Sequence, residues 1–96
     1  MSYDLNARLE REIIAFAKRC GVRKVILFGS RARGDTRERS DIDLAVSGGD
    51  IGEFTEAVNE EAWTLLMFDV VNLDREISAE LRAEIDRDGV VLYEET

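Results

Sequence analysis

Apolar residues along this chain recur first at helical spacing, then in short runs at strand spacing, and the two patterns alternate to the end. Leu5, Leu9, Ile13, Phe16, Ala17 and Cys20 step by three and four, which predicts an amphipathic helix over about 5–20. Ser2 or Asp4 is expected to cap it, and Gly21 stands where a helix end favours glycine. Val25-Ile26-Leu27-Phe28 is a continuous apolar run between Lys24 and Gly29, the pattern of a buried central strand. From Ser30 to about Gly34 the chain could close a short helical turn. Over 41–46 the period changes to two, with Ile42, Leu44 and Val46 on one face and Asp41, Asp43 and Ala45 on the other.

Gly48-Gly49 reads as a turn, and Asp50 with Glu53 three residues on has the spacing of a capping box. The helix that follows is expected to use Ile51, Phe54, Val58, Ala62 and Leu65 as its core stripe, with Trp63 on its polar side. Residues 67–73 predict a third strand. A last helix is expected over 78–88, with Leu81 and Ile85 inward and Gly89 as its stop, followed by an edge strand over 90–93. The order α-β-(α)-β-α-β-α-β implies an α/β (α+β) sandwich of one sheet and helices. The pattern leaves strand direction open, although the link between the first two strands is near the lower limit for a parallel crossover.

At 96 residues the chain has the length of one domain, expected over 1–96. It carries 13 basic and 21 acidic residues, a net charge of −8. Such a field opposes general binding of nucleic acid, and no direct nucleic-acid contact is expected. The basic residues are unevenly placed, since Arg31, Arg33, Arg37 and Arg39 crowd beside Gly29-Ser30. A positive mouth on an acidic body suits a small anion. The single cysteine, Cys20, excludes an internal disulfide and is expected to pack as a small apolar residue. With no histidine, any metal must be held by oxygen ligands, which points to Mg²⁺, with Mn²⁺ as the alternative. No apolar run approaches the roughly 20 residues that span a bilayer, and no signal peptide is visible, so a cytoplasmic location is the default expectation.

The chemistry concentrates in one stretch: Gly29-Ser30, ten residues, then Asp41-Ile42-Asp43. Asp41 and Asp43 leave a strand on the same face, where bare carboxylates repel and divalent cations relieve the repulsion. Carboxylates so placed can bridge two metal ions about 4 Å apart, the separation of two-metal phosphoryl chemistry. A third carboxylate is wanted, and Asp69 is the best candidate, because an unpaired charge inside the strand Phe68-Asp69-Val70-Val71 would be costly without a cation. Asp74, near the strand end, is its rival. Gly29 lacks a Cβ, so a phosphate can approach the backbone; Ser30 can donate its hydroxyl and its amide. Arg33 and Arg39 are candidate bidentate partners for phosphate oxygens. Neither a Walker loop nor a three-glycine dinucleotide fingerprint is present.

This combination, with the later strand aspartate, resembles the nucleotidyltransferase superfamily related to DNA polymerase beta. The stretch Gly-Ser-Arg-Ala-Arg-Gly…Ser-Asp-Ile-Asp-Leu is most similar to its small stand-alone members, the minimal nucleotidyltransferases (MNT). The resemblance spans nearly the whole chain and implies a mixed sheet flanked by helices. It implies that Gly29 and Ser30 bind the triphosphate of ATP, that Asp41 and Asp43 hold two Mg²⁺, and that Asp69 completes the site. Many MNT proteins are antitoxins of HEPN-domain ribonuclease toxins. The resemblance therefore implies transfer of AMP to a tyrosine of such a toxin, within a hetero-oligomer. The alternatives are an antitoxin that masks its toxin without catalysis, and a small-molecule nucleotidyltransferase of the aminoglycoside-modifying type.

Trp63 stands apart from this chemistry. An exposed tryptophan is a contact for a partner, a cover for a helix end or the mark of a misplaced helix boundary. Tyr3 and Tyr93 carry no assigned role.

Overall fold

Asn6, rather than Ser2 or Asp4, starts the first helix. In the computed structural model, which describes residues 3–34 and 41–95, its side chain accepts the N–H groups of Arg8 and Leu9 at 2.8 and 3.3 Å. The helix, α1 (Ala7–Arg19), buries Leu9, Ile13, Phe16 and Ala17 along the expected stripe. Ser2 lies outside the described residues. Four strands follow at the expected places: β1 (Lys24–Phe28), β2 (Ile42–Ser47), β3 (Phe68–Asn72) and β4 (Val90–Glu94). Between them lie α2 (Ser30–Arg33), α3 (Ile51–Glu61) and α4 (Ala79–Asp88).

The strands form one mixed sheet in the order β3-β2-β1-β4. β1 is antiparallel to both β2 and β4, while β2 and β3 run parallel through the α3 crossover. Two consequences position the site. Antiparallel pairing sets the end of β1 against the start of β2, with Phe28 opposite Asp43. Parallel pairing sets the start of β3 beside the start of β2, with Asp69 opposite Asp43.

The sheet divides the core. On one face Val25, Leu27, Ile42, Leu44, Val46 and Phe68 pack against α1 and α3 through Ile13, Phe16, Phe54 and Val58. Each of these apolar side chains contributes about 1.5–3 kcal/mol by leaving water. On the other face a smaller cluster joins Phe28, Ala45 and Ile85 of α4, with Leu81 against it. Asp43 shares this second face, because residues alternate sides along β2. Cys20 is buried and free, and burial pushes its thiol pKa up, which leaves it an inert packing residue.

Two expectations are corrected at the end of α3. The helix stops at Glu61, where Ala62 turns to extended backbone (φ −65°, ψ 140°). Leu65 is therefore not part of the core stripe and is fully exposed, and Trp63 stands beyond the helix rather than on its polar side. A competing side chain takes over just past the helix end, where Glu12 Oε1 accepts the Trp63 N–H at 3.0 Å, and Asn59 Oδ1 accepts the Phe68 N–H at 3.2 Å where the chain enters β3. The capping box at the other end is half made. Asp50 accepts the Glu53 N–H at 3.0 Å, while its own N–H donates to the Cys20 carbonyl at 3.0 Å. No helix among the described residues is long and apolar enough to cross a membrane.

Candidate active site

Gly29 leaves β1 with φ +77°, a backbone conformation that only glycine adopts without strain. A Cβ at this position would collide with Asp43 Oδ2 and lie 3.3 Å from its Cγ. The turn and the carboxylate therefore touch. Gly29 is also the N-cap of α2 and, having no side chain, contributes no cap hydrogen bond of its own. Gly34 closes α2 in the left-handed conformation, its N–H donating to the carbonyls of Ser30 and Arg31 at 3.0 and 3.3 Å.

Asp43 is half-buried and Asp41 exposed, both at the start of β2. Burial pushes the Asp43 carboxyl up to about 6, helped by the negative charges of Asp69, Asp41 and Glu84 and opposed by the Arg33 guanidinium. Among the described residues, the charges that Asp43 feels come from Asp69 of β3, Asp41 just before β2 and Glu84 of α4, with the Arg33 guanidinium opposing them. Among the described residues no three of these side chains group closely enough to hold a metal ion between them, and the row lies open. Its chemistry fits a divalent cation: the donors are all hard oxygens, and the central one is held where its own anion is disfavoured.

Asp69 is exposed on an edge strand, so the cost of burying an unpaired charge does not apply to it. Its place opposite Asp43 is what brings it to the site. Asp74 is elsewhere, with Oδ2 accepting the Gly48 N–H at 2.8 Å in the turn after β2.

The arginines separate. Arg31 is 7% exposed and binds the N-terminal segment, donating to the Asp4 carbonyl at 3.2 Å while the Asp4 N–H donates to the Arg31 carbonyl at 2.7 Å. Arg33 is more open and pairs with Asp88 of α4 at 3.1 Å. Asp88 also takes the Arg87 guanidinium at 3.0 Å, and the two guanidinium groups hold its carboxyl below the usual range. Arg39 and Arg37 lie outside the described residues.

Sequence reasoning missed Glu84 and Asp88. The signal was present in the spacing of Leu81, Glu84, Ile85 and Asp88, which share one helical face. An acidic residue on an inward face could have been read as facing the site, but only once α4 was known to cover that side of the sheet.

Comparison with known proteins adds to this geometry. The family model "Polymerase beta, Nucleotidyltransferase" matches residues 11–96. Among curated proteins none matches the sequence. Among solved structures, the chain is similar to one in a crystal structure of a toxin-antitoxin with AMP-PNP, at 26% identity over 88% of this chain and 73% of that chain, with a TM-score of 0.72. It is likewise similar to a mutant of the toxin-antitoxin MntA-HpeT, at 26% identity over 95% and 74% of the two chains, with a TM-score of 0.71. It shares its fold with a chain from the complex of a tri-AMPylated Shewanella oneidensis HEPN toxin with an MNT antitoxin, at 23% identity over 90% and 70%, with a TM-score of 0.65. A family model that takes in residues 11–96 spans every strand and turn that builds the carboxylate row, and the chain accordingly belongs to the polymerase beta nucleotidyltransferase family.

Proposed function

We propose that this nucleotidyltransferase moves AMP from ATP to a hydroxyl, that of a tyrosine, on a HEPN-type ribonuclease toxin, and so acts as its antitoxin. The observation that carries the reading is the Asp41–Asp43–Asp69 row set directly against the Gly29-Ser30 turn, on a fold similar to those of toxin-antitoxin complexes, one of them with AMP-PNP.

In this reading Gly29 and Ser30 receive the β- and γ-phosphates, the glycine by close approach and the serine through its hydroxyl and N–H. Arg33 reaches the phosphates from the edge of α2, exchanging Asp88 for a phosphate oxygen, and Arg39 is a second candidate for that contact. Asp41 and Asp43 would hold two Mg²⁺, and Asp69 would share the catalytic one; when bound, these ions supply charge neutralisation at the triphosphate. Asp69 takes the proton of the acceptor hydroxyl. The hydroxyl oxygen bonds to the α-phosphorus, the bond from that phosphorus to the α,β-bridging oxygen breaks, and pyrophosphate leaves.

The intact mass of the host's HEPN ribonuclease, with and without the chain and Mg-ATP, tests the reading. It predicts added AMP masses with the native chain and none with Asp43→Asn. An acceptor that stays unmodified while its ribonuclease activity is still neutralised would replace catalysis with masking. Modification of a small acceptor alone would favour a small-molecule transferase.

A further inference from the structure

The loop from α3 to β3 turns three large apolar side chains to solvent: Trp63 at 74%, Leu65 at 102% and Met67 at 63% exposure. This is a built arrangement. Glu12 Oε1 holds the Trp63 N–H at 3.0 Å, Thr64 Oγ1 accepts the Leu66 N–H at 3.1 Å, and Ile42 donates its N–H to the Met67 carbonyl at 2.9 Å. The Arg8 guanidinium lies 5.3 Å from the Trp63 ring centroid. Ala62 and Leu66 pack inward, so the outward side chains are those the loop can spare. Two clefts of about 370 Å³ each share Trp63 and Thr64 in their walls. Solvent-facing apolar side chains grouped in this way mark an interaction site.

Its position says what for. The pairing Ile42↔Phe68, continued by one residue, sets Met67 beside Asp41. Met67 is two residues from Asp69 and shares its side of the sheet edge. The patch is thus continuous with the carboxylate row.

Charge selects the occupant. The chain carries −8, and the acidic Asp41 and Asp69 flank Met67 where the loop enters β3. A second copy would bring the same negative field, while nucleic acid and an anionic membrane would be repelled. What fits is a protein face with an apolar pocket and a basic rim. Resting on the reading above, we propose that the Trp63–Leu65–Met67 loop is the docking seat of the acceptor protein, holding it so that its hydroxyl overhangs Asp41, Asp43 and Asp69.

The test uses the full chain with Leu65→Ser and, separately, Trp63→Ser, and the host's HEPN ribonuclease as probe. Leu65 is fully exposed, so that variant keeps its fold, checked by thermal melting. The proposal expects Kd and the KM for this protein acceptor to rise about tenfold or more, with KM for ATP and acceptor-free ATP turnover unchanged, and wild-type binding that weakens with added salt. Unchanged Kd and acceptor KM in both variants would overturn it, as would a failure of the wild-type chain to bind the ribonuclease. A wild-type homodimer that Leu65→Ser dissociates would overturn it in favour of self-association. Leu65-dependent binding without any AMP transfer would uphold the seat and remove the catalytic reading, so the two fail separately.

Discussion

Gly29 and Asp43 occupy adjoining space: the Asp43 carboxylate rests where a side chain on residue 29 would have to stand. The positive φ of Gly29 and the antiparallel pairing of Phe28 with Asp43 produce this contact together. Phosphate turn and carboxylate row are thereby one unit, and a change in either is felt by the other.

Gly29→Ala is expected to act on both. The strain of a Cβ at φ +77° is on the order of 1–3 kcal/mol, and the displaced Asp43 carboxylate lies in the proposed site. Urea unfolding should show a loss in that range, and kcat/KM for ATP should fall by about two orders of magnitude, more than the lost stability accounts for. Full activity in a destabilised variant would separate the turn from the chemistry.

Asp43 makes the metal-free protein sensitive to pH. Its folded pKa of about 6 lies above the unfolded value of about 3.9. The folded state therefore holds the proton more tightly, and the stability it contributes is complete below about pH 4 and lost as pH rises through about 6. Because Asp43 is only half-buried, solvent screening reduces the effect to about 1 kcal/mol. Asp43→Asn should raise the Tm of the metal-free chain by a few degrees at pH 7.5 and change it little at pH 4. Saturating MgCl₂ should remove the advantage of the variant.

Asp69 and Asp74 should dissociate by readout. Asp69→Asn is expected to abolish transfer with little change in Tm, since the side chain is exposed. Asp74→Ala removes the acceptor of the Gly48 N–H and should cost about 1 kcal/mol with transfer intact. Thermal melts and pyrophosphate release on the same preparations decide the matter.

Arg33 is held by Asp88 at 3.1 Å, a carboxylate that competes with phosphate for the same guanidinium. Arg33→Ala should raise KM for ATP about tenfold with a smaller effect on kcat. Asp88→Asn should lower that KM by roughly two- to threefold, because Arg33 then leaves a neutral partner. The opposite sign would make Asp88 a support that aims Arg33.

Much of this was legible along the chain. Local pattern marks the long helices and the strands, because a buried stripe repeats at 3.6 or at 2 and a central strand reads as a continuous apolar run. The Gly-Ser turn and the aspartate pair are equally local: a glycine's conformational freedom and the two-residue repeat of a strand are properties of a few adjacent residues. Local pattern failed where side chains from elsewhere intervened. Glu12, from α1, captured the N–H of Trp63 just past the end of α3, and Leu65 beyond it faces solvent. The cap was a local misreading of another kind: Asn6, next to the helix, reaches the N–H groups of Arg8 and Leu9.

What the amino-acid order determined by itself was the set of parts: four strands, their helices, the Gly29-Ser30 turn and the carboxylates. What only the tertiary structure decided was their assembly. Strand direction is a property of pairs of segments, and it alone sets Phe28 and Asp69 on either side of Asp43. The raised pKa of Asp43, the tether of Arg33 to Asp88 and the approach of Glu84 depend on α4 lying over that face of the sheet. Electrostatic coupling falls with distance in space, and residues 43, 69 and 84 become neighbours only when the sheet closes.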